Sequence, residues 1–208
     1  MLDKLVFVEV KQMIFKIVTL GLMAAFYICY FSKMISQKKK GIRTDQLGKG
    51  KEGFLKCIEV TLKITTYLLP ILQIISILFY SEGTHWLLQI TGVIVESLGV
   101  VVFVISVTEM KDNWRAGVQR EDKTNLVTSG IYSISRNPAF LGFDLMYIGI
   151  LLTFFNWFLC FATAFAVCLF HLQIVNVEED FLLETFGKEY LEYKRKVCRY
   201  LGNKFWIK

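Results

Sequence analysis

Apolar side chains fill five long stretches of this 208-residue chain, and the polar residues are gathered between them. Residues 12–34, 59–80 and 85–108 each hold enough consecutive apolar positions to cross about 30 Å of hydrocarbon at about 1.5 Å per helical residue. Three membrane spans are expected there. From Ala139 to Val175 the chain is again almost wholly apolar, and as one straight helix it would be about 55 Å long, far beyond the membrane core. The pattern therefore predicts a hairpin of two short spans, 139–155 and 157–176. Its reversal falls at "FFNWF", where Asn156 suits a turn or cap and Trp157 suits the interface. Pro70 removes a backbone donor inside the second span and predicts a kink there.

Composition sharpens this picture. The chain is 54% hydrophobic and 20% charged, with a mean hydropathy of +0.47, which is unusual for a soluble domain. The expected fold is an all-α membrane protein of about five transmembrane helices, one membrane-embedded domain over residues 1–208, with polar regions at 109–138 and 177–208. The N-terminus "MLDKLVFVEVK" lacks the small-residue site of a cleavable leader, so the first span is expected to remain as an anchor. The net charge is +6, and most of it sits between the first two spans, in "SKMISQKKKGIRTDQLGKGKEGFLK". The loop "SEGTH" between the second and third spans carries no Lys or Arg. The positive-inside rule then puts the first loop in the cytoplasm and the N-terminus outside. The basic loop reads as topology, so no nucleic-acid partner is expected. Five scattered cysteines without a C-x-x-C pair predict neither disulfides nor a metal site.

Two polar stretches carry candidate chemistry. The first is "LVTSGIYSISRNPAFLG", Leu126 to Gly142, just ahead of the fourth span. Asn137 is expected to cap that helix and Pro138 to occupy its first position. Arg136 adds positive charge where the helix macrodipole is already positive, which is unfavourable unless an anion sits there, either a ligand or a lipid phosphate. Gly142, one turn on, allows a backbone or a ligand to come close. The second stretch is "VEEDFLLETFGKEYLEYKRKV". Helical spacing places Glu179, Leu183, Phe186, Tyr190 and Tyr193 on one stripe, unless Gly187 breaks the helix. Glu178 and Glu179, acids beside apolar surface, are expected to have partners. Within the spans Glu96, Asp144 and His171 should face the bundle interior, His171 as a satisfied buried histidine.

These residues resemble a known family. "NWRAGV", the first stretch and the second, in that order and spacing, are similar to isoprenylcysteine carboxyl methyltransferases and their phospholipid-methyltransferase relatives. The likeness covers roughly the C-terminal half. It implies an integral membrane enzyme that uses S-adenosylmethionine, bound in a cytoplasmic pocket formed by the loop before the fourth span and the C-terminal helices. By position it implicates Gly130, Tyr132, Arg136, Asn137, Pro138, Phe140, Gly142, Glu178 and Glu179 in cofactor binding. Asn137 stands where histidine is commoner, Phe140 where tyrosine is, and Asn125 where a histidine often precedes the Leu-Val-Thr run.

The chemistry of the cofactor agrees with that set. Arg136 and helix-end amides suit its carboxylate, and Glu178 or Glu179 its ammonium. Tyr132 and Phe140 suit its adenine or sulfonium, although packing aromatics would look the same. The implied acceptor is hydrophobic or lipid-like and reaches the site from the bilayer, an isoprenylcysteine-type carboxylate being the name-giving case; carboxylate, amine and thiol remain open. A carboxylate needs no general base, and none is assigned. Trp114 and Arg115 are candidates for closing the site or holding an anionic acceptor, or else for anchoring at the interface. Asp144 could line the acceptor's path or bond a neighbouring helix. The rival readings are an NADPH-dependent sterol-type reductase, which shares a similar arginine-histidine-proline stretch, and a non-catalytic membrane protein that keeps the pocket as scaffold.

Overall fold

The computed structural model describes residues 2–80, 84–118 and 124–202, with side chains from residue 8. Parts of three expected polar segments, residues 81–83, 119–123 and 203–208, lie outside that range. Five apolar helices follow one another: α1 Leu2–Lys39, α2 Gly53–Leu78, α3 Trp86–Met110, α4 Pro138–Thr153 and α5 Trp157–Gln173. A π-helical turn, Ile174–Glu178, joins α5 to the polar helix α6, Glu179–Lys196, and short 3-10 turns lie at Lys111–Asn113 and Gly130–Ser133. No strand is present among the described residues, only one isolated bridge between Asp45 and Ala116.

The helices outrun the apolar stretches that predicted them. α1 continues to Lys39 because Lys38 and Lys39 in its last turn suit the negative end of the helix dipole. Large apolar residues such as Ile17, Ile28, Leu68, Ile94, Phe158 and Phe161 point outward and are 55–81% exposed. Such a belt is stable only in lipid, so the chain is an integral membrane protein.

The last two apolar helices form the expected hairpin. Asn156 caps α5 by accepting the Leu159 N–H at 2.8 Å. α4 has 16 residues, about 24 Å of helix, and survives at that length because α3 lies unusually close along it. Gly92 and Gly99 on α3 face Gly142 and Gly149 on α4. A Cβ on Gly149 would lie 2.4 Å from the Glu96 amide nitrogen, and one on Gly99 would lie 2.5 Å from that of Met146. Small residues at such a seam let backbones touch, which is how helices gain packing energy inside a membrane. Gly142 belongs to this seam: a Cβ there would meet Phe103 at 2.8 Å. Its missing side chain is accounted for by helix packing.

Phe26 of α1 stacks on Phe103 of α3 with ring centroids 4.2 Å apart, so α1 packs on α3. α2 instead leans on α5 and meets α1 only sparsely. A cavity opens between α1 and α2.

Of the three polar residues expected inside the bundle, two are there. Glu96 is fully buried at the α3–α4 seam, and Asp144 is 8% exposed. His171 is not. It is exposed, and its Nδ1 lies 2.7 Å from the Tyr200 hydroxyl. The buried stripe of α5 runs through Leu159, Thr163, Ala166, Phe170 and Gln173, and His171 lies off it.

Two straps close the polar end of the bundle. The loop after α1 is tied to the segment after α3 by Gln46 N–H to Ala116 O and Ala116 N–H to Thr44 O, both 2.9 Å. Gln37 adds a bond from its Nε2 to Trp114 O. At the C-terminus, residues 198–202 double back onto the first polar stretch: the Arg136 N–H donates to Cys198 O at 3.1 Å and the Gly202 N–H to Ile134 O at 3.0 Å.

Candidate active site

The cavity between α1, α2 and α5 has a volume of about 370 Å³. One limb is apolar, walled by Met23 and Tyr27 from α1 and by Leu62, Pro70 and Ile74 from α2. Phe140, Phe143 and Phe170 form its middle, and Tyr132, Arg136, Asn137, Gln173 and Glu178 its polar end.

Arg136 is held from every side. Its backbone is fixed by the C-terminal strap, and its side chain is 5% exposed. Nη1 donates to the Tyr190 hydroxyl at 2.7 Å and pairs with Glu179 Oε1 at 3.1 Å. Tyr190 is in turn packed against Tyr193, whose hydroxyl donates to Tyr132 O at 2.6 Å. The expected stripe on α6 is therefore only partly intact. Gly187 has φ +50 and interrupts the helix, yet Tyr190 and Tyr193 still turn inward beneath the first polar stretch.

The paired glutamates divide. Glu179 points away from the cavity and collects Lys194 Nζ at 2.8 Å and Arg199 Nε at 2.7 Å in addition to Arg136. Burial pushes its carboxyl up, but Arg199, Lys194 and Arg136 outweigh burial and hold it at about 2. Glu178 lines the cavity, half-buried. Burial raises its carboxyl to about 7, against the bond from Gln173 and the charge of Lys51, with Glu59 adding to the rise.

The other expected site residues fall on both sides of the wall. Tyr132, Phe140, Trp114 and Arg115 line the cavity. Asn137 also lines it and sits at the N-cap position of α4, but its side chain makes no capping bond. Its Nδ2 donates to Arg199 O at 3.1 Å instead, because the strap offers a carbonyl there. Pro138 occupies the first helical position as expected and lies behind the wall. Gly130, with φ +55, forms the turn that brings Glu109 close: a Cβ there would meet the Glu109 carboxyl carbon at 2.7 Å. Asp144 is outside the cavity lining.

Sequence reasoning missed three contributors. Gln173 looked like one more residue of an apolar run, and Glu59 like the edge of a span. Asp45, paired with Lys63, faces the cavity from the basic loop. The only signal for Gln173 and Glu59 was that each is polar beside a long apolar stretch; Asp45, within the basic loop, gave none.

The chain is thus a helical membrane protein in which one cavity is lined both by apolar residues of α1 and α2 and by arginine, glutamine and glutamate. The phospholipid methyltransferase family matches residues 87–189, the region from α3 into α6 that carries Arg136 and both glutamates. The chain is also 32% identical over 136 residues to the protein-S-isoprenylcysteine O-methyltransferase of Saccharomyces cerevisiae, covering 64% of this chain and 55% of that protein. It is 27% identical over 134 residues to protein-S-isoprenylcysteine O-methyltransferase B of Arabidopsis thaliana (62% and 68%), and 34% identical over 128 residues to the Homo sapiens protein-S-isoprenylcysteine O-methyltransferase (57% and 45%). The matches thus span about half to two thirds of these relatives' length. The chain belongs to this family of methyltransferases.

Proposed function

We propose that the protein is an integral membrane methyltransferase that moves a methyl group from S-adenosylmethionine to a lipid-like acceptor, with an isoprenylcysteine-type carboxylate as the leading candidate. The observation that carries this reading is the continuity of the cavity. Its apolar wall on α2 runs from Leu62 to Ile74, roughly 18 Å at about 1.5 Å per residue, and the same cavity is lined by Arg136 and Glu178.

The polar end fits the methyl donor. Two polar atoms on residues of its wall, Arg136 Nε and Gln173 Oε1, are buried without a hydrogen-bond partner among the described residues. Buried groups of this kind are costly unless a ligand meets them. Arg136 supplies donors for a carboxylate, and Glu178 with Gln173 Oε1 supplies acceptors for an ammonium. Tyr132 and Phe140 offer aromatic faces beside them. When bound, S-adenosylmethionine supplies a methyl carbon made electrophilic by its sulfonium. The residues of this chain align the acceptor against it and keep water out, which is what an in-line displacement chiefly requires. A carboxylate acceptor needs no base. Arg115, whose Nε is also buried without a partner, suits the acceptor's anionic group, with Trp114 beside it as a wall.

On the positive-inside rule the basic loop after α1 lies in the cytoplasm together with the polar end of the cavity, and the N-terminus lies outside. The test is calorimetric titration of the detergent-purified chain with S-adenosylhomocysteine, with NADPH as the comparison ligand. Saturable binding of the former alone is expected. No binding by a folded protein would overturn the cofactor assignment, and binding of NADPH instead would favour a reductase.

A further inference from the structure

Gln173 stands at the end of α5 and is fully buried. Both N–H bonds of its carboxamide are spent on carboxyl groups: Nε2 lies 3.1 Å from Glu59 Oε1 and 3.2 Å from Glu178 Oε1. Glu178 is in the cavity wall. Glu59 is not; it belongs to α2, outside the residues that match the family, and is fully buried.

Glu59 is anchored by three donors from two parts of the chain. Lys51 Nζ pairs with Oε1, which also accepts from Gln173, and the Gly48 N–H donates to Oε2 at 2.7 Å. A buried carboxylate held this way has a counter-charge and filled lone pairs, so it has no reason to turn. The Gln173 carboxamide inherits that order. Rotating it end for end would set its carbonyl oxygen against two carboxyl groups. Its Oε1 thus stays without a protein partner among the described residues.

We infer that Glu59 is a positioning residue for Glu178: anchored by Lys51 and Gly48, it fixes the Gln173 carboxamide, which holds the Glu178 carboxyl where the ammonium group of the methyl donor is taken. This rests on the cofactor assignment above. The same anchoring leaves Gln173 Oε1 as a second acceptor for that ammonium. It also ties the polar end to α2, the helix that walls the apolar limb, so the helix that borders the acceptor also sets the geometry for the donor. Lys51 and Glu59 act on the charge of Glu178 as well, the first lowering its carboxyl and the second raising it.

The test is calorimetric titration of the full chain with S-adenosylhomocysteine in two double variants, each checked by thermal unfolding. Lys51→Met with Glu59→Gln keeps an oxygen facing Gln173; Lys51→Met with Glu59→Leu does not. Both remove the buried ion pair as a unit and so leave no unpaired charge. The glutamine version is expected to bind within about threefold of the wild type and the leucine version about tenfold more weakly. A merely structural ion pair would affect both alike. Equal affinity in the two, high or low, overturns the inference. If the leucine version does not fold, Gln173→Met replaces it, and wild-type affinity in that variant overturns the inference equally. A folded wild type that does not bind overturns the cofactor assignment itself, and this inference with it.

Discussion

Glu179→Ala removes the carboxylate on which three cations converge, and the structure apportions the effect. Lys194 and Arg199 have side chains 40% and 32% exposed, so their pairs with Glu179 contribute no more than about 1 kcal/mol each. The Arg136 side chain is 5% exposed. Leaving that charge buried without its partner costs about 3–5 kcal/mol, so one of the three contacts dominates. Glu178→Ala, one residue earlier, removes a cavity-facing carboxyl bonded to Gln173. It is expected to change stability by less than about 1.5 kcal/mol and to weaken S-adenosylhomocysteine binding by about 1.5–3 kcal/mol, the range of a charge-assisted bond. The assay is unfolding in detergent beside calorimetry of the same samples. The Glu179 contribution also has a pH window. Its carboxyl falls from an ordinary 4.5 to about 2 on folding, so the stability it adds is complete above the ordinary value and is lost as pH falls toward 2. If Glu179→Ala unfolds like the wild type, or if Glu178→Ala costs as much stability, the division of labour between the two glutamates is wrong.

Glu178 should behave in the opposite sense. With its carboxyl raised from 4.5 to about 7, the folded chain keeps a proton that the unfolded chain has released, so this group's contribution to stability declines as pH rises from 4.5 to 7; unfolding measured across that range should show a shallower decline in Glu178→Gln. S-adenosylhomocysteine affinity of the wild type should rise through pH 7 as the carboxylate forms, and a pH-independent wild-type affinity would remove the ammonium contact. At the α3–α4 seam, Gly149→Ala puts a methyl group 2.4 Å from the Glu96 amide nitrogen and is expected to cost about 1–3 kcal/mol, read as a lower unfolding temperature; an unchanged one would refute the close packing.

The spans were legible because hydrocarbon thickness imposes a length on every apolar run, and Asn156 and Pro138 marked helix ends in ways that local chemistry dictates. Arg136 was legible for a physical reason as well: its charge at a helix start demanded an anion. That the nearest anion belongs to the chain itself was not legible, because Glu179 is 43 residues away and reaches Arg136 only through the fold. Gly142 was read as allowing either a backbone or a ligand to come close, because a missing side chain looks the same whichever fills the gap; the structure puts Phe103 of α3 there. His171 was misplaced because α5 is apolar nearly all round, so its sequence does not mark which face is buried. The roles of Glu59 and Gln173 were hidden for the same reason as the pairing of Arg136 with Glu179, since each acts through a residue distant in sequence.

The strap at residues 198–202 gives the site a place in time. Arg136 precedes α4 and α5 in the chain, yet its amide is seated by Cys198 and the carboxylate that fixes its guanidinium is itself held by Arg199. Helices α1 to α5 can therefore be inserted and packed while the polar end is still unassembled. The hydrogen bonds and ion pair that seat Arg136 can form only once residues 198–202 have been synthesised.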